Sequence, residues 1–507
     1  MSTSKRVIKN TAYLYMRTIA SLLLGVFTTR ILLQGLGESD FGLYNVVGGS
    51  IAMLGFLSAS LSSATQRFLN VAEGEGDFNK VRLYFNNSII IHWALAGIMV
   101  AIFIIAGFFF FNGILNIPDG KYVDAIVVYG CLLVSTVFSI TVVPYEAEIN
   151  AHENMLFFLI VGIIDVILKF SIALAVLYFN TDKLIFYAVL MAAESFLIRY
   201  LHQIYCQRKY EECRSLSTRE SFDRTTIRQM TSFAGWNMVN IATGMISLFG
   251  MNIVVNHYFG TNVNAAMGIA TQLSGVMMGL SANMIKAVTP VIMKSEGGNR
   301  HDKMLQYTYT SCKFSYLIFS VCCIPVLFFI HPILKLWLTE VPQWTDIFCI
   351  VLIIATLIDQ MTVVLYQSIM AGGDIKFYNI FRSVTNILPL VVSVLMFQYG
   401  NFPPYWALIN WGIYKCLIGG AVNLYFSNKK LHLNLHYFIK GVFSPSILSS
   451  LAIAIVCMAI CLINLNWLLA FIASFIASLP IYWLIALDNS ERKQFLSIIH
   501  IRFRLCH

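Results

Sequence analysis

The sequence predicts an all-α polytopic membrane protein with about fourteen transmembrane helices. Three observations carry that prediction. Apolar stretches long enough to cross a hydrocarbon core of roughly 30 Å follow one another along almost the whole chain. Lys and Arg gather in alternate turns between them. No polar interval is long enough to hold a separate soluble domain.

The spans fall near 9–34, 41–66, 83–111, 122–144, 155–179, 183–207, 230–258, 264–292, 304–331, 344–371, 376–399, 403–427, 440–463 and 466–486. With the N-terminus inside, 24 of the 34 basic residues fall in inside turns and tails, from Lys5, Arg6 and Lys9 to Arg492, Lys493, Arg502 and Arg504. Only Lys121, Lys183 and Lys335 fall outside, and the remaining seven lie within spans. Basic residues stay cytoplasmic during insertion, so both termini are expected in the cytoplasm and the protein in the cytoplasmic (inner) membrane. The first span is too long for a signal-peptide core, contains Arg17 and precedes no small-residue cleavage site, so it reads as a retained helix.

Composition agrees. At 58% hydrophobic and 12% charged residues, the chain is not that of a soluble domain. The net charge of +9 is accounted for by orientation and by anionic lipid, so no nucleic-acid partner is expected. The eleven Cys are scattered without a CxxC pair or a Cys/His cluster, and neither a disulfide framework, a metal site nor a cofactor is expected. GxxxxGK[ST], HExxH and GxSxG are all missing. No catalytic residue is assigned and no enzyme is expected. Without an ATP site, the leading class is a secondary transporter whose function lies among its helices.

The longest polar interval, RKYEECRSLSTRESFDRTTIRQ, spans 208–229. It divides the chain into an N-terminal six-helix bundle (1–207), a cytoplasmic linker (208–229), a C-terminal six-helix bundle (230–427), and two extra helices with a tail (428–507). Two echoes relate the halves. Arg30–Tyr44 and Ile253–Met267 each end one span, pass a Gly (Gly37, Gly260) and open the next. Tyr145–Glu153 and Tyr366–Asp374 each place a small residue six after Tyr and an acid eight after it. Matching turns on the same side imply parallel repeats about an axis along the membrane normal.

Charge inside a bilayer costs roughly 2.5–3.5 kcal/mol per group on insertion scales, so charged residues in spans are the candidate site. The basic candidates are Arg17, Arg30, Lys169, Lys286, Lys313 and Lys415. Arg17, Arg199, Lys286 and Lys313 lie near inner ends and Arg30 near an outer end, where snorkelling is the competing reading. Asp165, Glu194 and Asp359 are the acidic candidates and could couple transport to an ion. Asp165 and Lys169 are four apart on one helix face and can pair, either as a neutralised structural pair or as a switch in an aqueous cavity. Seven basic groups against three acidic ones favour an anionic cargo, for which guanidinium forks suit phosphate oxygens. Asn237, Asn240, Gly244 and Ser247 form a polar stripe that can line a cavity or bond a neighbouring helix.

The stretch TRILLQGLGESDFGLYNVV, with Arg30, Gly37, Phe41 and Gly42, resembles the opening of polysaccharide and O-antigen flippases of the multidrug/oligosaccharidyl-lipid/polysaccharide (MOP) exporter superfamily. PYEAEINAHENM (144–155) resembles that family's junction between its fourth and fifth helices. The resemblance extends to the layout of six, six and two helices. It implies two bundles in a V around a central cavity, alternating access, and a polyprenyl-pyrophosphate-linked oligosaccharide as cargo. It also implies that basic cavity residues, here Arg17 and Arg30, hold the pyrophosphate. Lys286 and Lys313 join them on charge alone. Expected partners are the lipid-linked oligosaccharide, membrane lipids, H+ or Na+, and other polysaccharide assembly proteins. The competing readings are a cation-coupled multidrug antiporter of the same superfamily and a membrane enzyme of polysaccharide assembly.

Overall fold

The structure is a computed structural model that describes residues 3–52, 55–111, 120–179, 182–214, 223–338, 340–463, 466–489 and 491–493. Among these residues there are helices and turns but no strand. A lipid-facing backbone must satisfy its own hydrogen bonds, and helices do so within each segment.

Helix α1 runs over 3–37, and α2 comprises 38–52 and Gly55–Glu75. Then come α3 (Phe78–Phe109), α4 (Tyr122–Ala151), α5 (Met155–Tyr178) and α6 (Lys183–Lys209). A short 3₁₀ turn, Glu211–Cys213, follows α6. A 74-residue helical run, Arg224–Gly297, contains α7 (224–260) and α8 (261–297). The series continues with α9 (His301–Phe328) and α10, made of Thr345–Gln360 and Leu365–Gly372 bent by 43°. Helix α11 is Lys376–Tyr399. Helix α12 is Trp406–Trp411, a wide turn over Gly412–Ile418, and Gly419–Leu431. Helices α13 (Leu435–Cys461) and α14 (Trp467–Ala486) complete it, as hydropathy predicted.

Two glycines make both repeat openings possible. Gly37 (φ 78°, ψ 168°) breaks α1 from α2, and Gly260 (φ 80°, ψ −179°) breaks α7 from α8. A side chain is strained at positive φ, so these are the positions where Gly is required. The second echo is equally physical. Helix α4 breaks before Val143–Ala151, where Pro144 lacks an N–H and its ring crowds the preceding turn. The α4–α5 turn then closes through Glu153 at φ 54°, and the α10–α11 turn through Gly373 at φ 86°.

The chain forms two compact units, Lys9–Met238 and Val239–His507 with Met1–Ile8. In the first, Leu43 and Val47 of α2, Met99 and Phe103 of α3, and Val128 and Tyr129 of α4 form one buried cluster. The Tyr129 hydroxyl donates to the Phe103 carbonyl at 2.7 Å, which satisfies a polar atom in an apolar core. In the second, Met251 and Val255 of α7, Phe319 of α9, Phe348 of α10 and Leu408 of α12 do the same. Polar contacts also join these helices: Thr308 and Ser368 meet at 2.6 Å, and Ser315 donates to Gln360 at 2.8 Å. The outward faces stay apolar, as with Ile104 and Ile105, each 62% exposed.

Candidate functional site

The first unit contains a polar cavity of about 300 Å³. Helix α1 contributes Arg17, α4 contributes Glu146, α5 contributes Gly162, Asp165 and Lys169, and α6 contributes Glu194, Arg199 and His202. Steps of three and four residues put Gly162, Asp165 and Lys169 on one face of α5.

The Lys169 ammonium sits 2.7 Å from Asp165 Oδ1, with the two side chains 40% and 22% exposed. Asp165 also lies within hydrogen-bonding reach of Glu194. Glu194 is buried, and its Oε1 has no hydrogen-bond partner. Arg17 lies flat against Gly162, where an added methyl group would stand 2.6 Å from Arg17 Cδ and 2.7 Å from Cγ. Among the described residues, Arg17 makes no hydrogen bond or close ion pair, although its charge reaches Asp165. Its guanidinium therefore keeps its donors for something else.

Arg199 is held differently. Its Nε donates to Thr141 at 2.9 Å and its Nη1 to Gln203 at 2.7 Å, and the guanidinium stands over Trp93 and Tyr145. Sequence reasoning left Arg199 open between snorkelling and a role in the site, and passed over Glu146 and His202. Glu146 stands 3.9 Å from His202 across the α4–α6 boundary, a contact that no sequence spacing announces. With Glu146 included, the cavity matches three basic side chains with three acidic ones. Its lining does not carry the basic excess counted over the spans.

The other candidates lie elsewhere. Arg30 is exposed on α1, and Lys286 is half-buried on α8. Lys313 is buried and paired with Glu491 beyond α14 at 2.6 Å. Lys415 stands over the Trp411 ring at 4.5 Å and within electrostatic reach of Asp359. The wide turn around Lys415 directs its carbonyl to Arg382 Nη1 at 2.9 Å. Arg382, which the sequence reading did not single out, thus sits within α11 against α12. On the polar stripe, Asn237 is buried, and Asn240 receives the Asn386 amide on its Oδ1 at 3.1 Å. Asn240 therefore bonds α7 to α11.

A second polar cluster joins helix ends of the first unit. His152 Nε2 lies 2.7 Å from Glu212 Oε1 and 3.2 Å from Glu148 Oε1, and Nδ1 lies 3.6 Å from Glu73. Tyr210 stacks flat on the imidazole at 4.0 Å. Burial disfavours the imidazolium, but the nearby Glu148 carboxylate, the bond to Glu212 and the charge of Glu73 outweigh it and hold the His152 pKa up at about 9. Burial likewise opposes charge on Glu212, yet the bond from His152 and the adjoining Glu148 carboxyl bring its pKa down to about 2.

Comparison with known proteins agrees with the fold. A family profile described as "Polysaccharide biosynthesis protein" matches residues 7–296, and one described as MatE matches 238–395. The "Probable multidrug resistance protein YoeA" of Bacillus subtilis is 31% identical over 107 residues, 21% of this chain. The match spans only 22% of that relative's length. Among solved structures, the Vibrio cholerae MATE transporter VcmN in its bent form aligns with a TM-score of 0.71 and 15% identity, covering 85% of this chain and 97% of that one. A MOP superfamily transporter from Pyrococcus furiosus, whose description reports reversed binding-pocket polarity suggesting a different function, aligns with a TM-score of 0.69 and 15% identity over 85% of this chain and 96% of its own.

Proposed function

Because the chain belongs to the polysaccharide biosynthesis protein family, within the MOP exporter superfamily of multi-pass membrane transporters, we propose that it flips a polyprenyl-pyrophosphate-linked oligosaccharide by alternating access. The cargo is a repeat unit of a surface polysaccharide such as O-antigen or capsule. The observation that carries this reading is Arg17, a guanidinium held against Gly162 in a polar cavity with its donors uncommitted. A pyrophosphate accepts paired N–H bonds from such a fork. On this reading the protein lies in the cytoplasmic membrane with both termini inside, as its basic turns direct, and it catalyses no covalent step.

Charge balance supplies the working principle. In the cavity, Asp165 neutralises Lys169 at 2.7 Å, and Glu194 stands beside them. An incoming pyrophosphate competes for Lys169 and Arg17. The carboxylates it displaces are left buried and like-charged, a costly arrangement unless a coupling ion neutralises them. We assign Asp165 and Glu194 to that ion, H+ or Na+. Arg30, Lys286, Lys313, Lys415 and Asp359 remain candidate contacts of the cargo or ion in other states.

The alternative is a cation-coupled multidrug antiporter. The equal acid and base lining of the cavity and the match to YoeA support it. One experiment separates the two: expression in a strain lacking its own O-antigen flippase, and separately in an efflux-deficient strain challenged with cationic drugs. Restored surface glycan without drug resistance supports the flippase. Drug resistance without surface glycan overturns it in favour of the antiporter.

A further inference from the structure

We propose that Glu148, His152 and Glu212 form a binding site for one divalent transition-metal ion at the end of the first unit that carries the α2–α3, α4–α5 and α6–α7 turns. Four observations carry the argument. First, one donor atom from each of the three residues lies within 4.8 Å of the others. Tetrahedral ligands about 2.1 Å from a metal stand roughly 3.4 Å apart, so small side-chain shifts suffice to admit an ion. Second, Glu148 is completely buried, and neither of its oxygens accepts a hydrogen bond. The nearest donor, His152 Nε2, is already committed to Glu212 at 2.7 Å.

Third, oxygen donors outnumber the imidazole. Three carboxylates, Glu73, Glu148 and Glu212, lie within 4 Å of one imidazole, and His152 Nε2 bonds only Glu212 at hydrogen-bond geometry. A divalent cation accepts the carboxylate oxygens that one nitrogen cannot serve. Fourth, the outer contacts suit a metal-bound imidazole. Nε2 faces Glu148 and Glu212, while Nδ1 lies 3.6 Å from Glu73. A carboxylate at the second ring nitrogen fixes tautomer and ring orientation in metal sites. Tyr210 stacked on the ring restricts its rotation.

One nitrogen and two carboxylate donors suit Zn2+ or Mn2+ better than a thiolate-preferring ion. Binding takes the Nε2 lone pair, so any proton on that nitrogen leaves to solvent. The ion would tie α4 to the segment after α6. Glu148 and His152 form an i, i+4 pair legible in the sequence, but Glu212 and Glu73 come from distant segments, which is why no metal was expected from spacing alone.

The test uses the full-length protein purified in detergent, stripped with EDTA and dialysed. Zn2+, Mn2+ and Mg2+ are then titrated singly, with heat release and thermal unfolding as readouts, and Co2+ is added to read its visible absorption. The expected result is one equivalent of Zn2+ or Mn2+ bound, a rise of several degrees in Tm, and loss of both in E148Q and H152N. Mg2+ should do neither. If wild-type protein binds none of these ions stoichiometrically, the site is overturned. It is equally overturned if E148Q, the isostere of a protonated Glu148, keeps wild-type binding, or keeps wild-type Tm while metal leaves the wild-type Tm unchanged. The wild-type titration decides the matter should either variant fail to fold.

Discussion

Replacing Gly162 by Ala tests whether the backbone of α5 positions Arg17. The added methyl would stand 2.6 Å from Arg17 Cδ and 2.7 Å from Cγ. Carbon atoms pack best about 3.5–4.0 Å apart, so the arginine stem must retreat by about 1 Å. Two energies then oppose each other. Removing a helix-interior glycine stabilises by about 1 kcal/mol, and overpacking costs about 1–3 kcal/mol. With Arg17 present, G162A should lower stability by about 0–2 kcal/mol. With R17A, the steric term disappears and G162A should raise stability by about 1 kcal/mol, so the sign reverses. The resulting coupling energy of about 1–3 kcal/mol is measurable in a double-mutant cycle. Function should suffer more than folding. A guanidinium moved by about 1 Å loses one arm of a charged hydrogen-bonded fork, about 1.5–3 kcal/mol, or about ten- to a hundredfold in cargo affinity. The assays are unfolding of the purified single and double variants, and surface-glycan output at matched protein level. An equal stability change in both backgrounds, or full glycan output from G162A, would refute the proposed support of Arg17 by Gly162.

Three further predictions follow from named contacts. R17A should abolish glycan export at normal protein level, and R17K should give a partial defect because it keeps charge and loses the fork; normal export from R17A excludes it as the pyrophosphate clamp. Breaking the Lys313–Glu491 pair with K313A leaves Glu491 without its cation, whereas E491A leaves a buried Lys uncompensated and should cost about 3–5 kcal/mol, the larger loss; equal Tm values for E491A and wild type would remove the pair from the fold's support. At the start of α7, Asp223 accepts bonds from the Thr225 and Thr226 hydroxyls and amides, which hold its carboxyl well below the usual range. Its folded pKa is depressed, so its support is present above the ordinary aspartate pKa and is lost only as pH falls through the lower folded value. D223A should therefore melt below wild type at pH 7 and still do so at pH 4, with D223N closer to wild type; a difference already gone at pH 4 contradicts the cap.

Local properties were legible in the sequence because they depend on residues near one another in the chain. Hydropathy reports the transfer of about 20 consecutive residues into hydrocarbon, so the helices and their number follow from it. Gly37 and Gly260 are recognisable as breaks because backbone freedom at positive φ belongs to the residue itself. The Asp165–Lys169 pair follows from helical spacing. Depth along a span was less informative. At the depth of Arg17 and Arg199 snorkelling and cavity lining were both open readings, and the tertiary structure brings the two to one cavity with Asp165, Lys169 and Glu194. Lys313 had the same charge and a similar depth, yet it is neutralised by Glu491, 178 residues away. Glu146, His202 and the Glu73–Glu148–His152–Glu212 cluster were invisible for the same reason. Membrane insertion is decided one helix at a time by the free energy of each segment. Which charged faces meet is decided afterwards, by packing among helices distant in sequence.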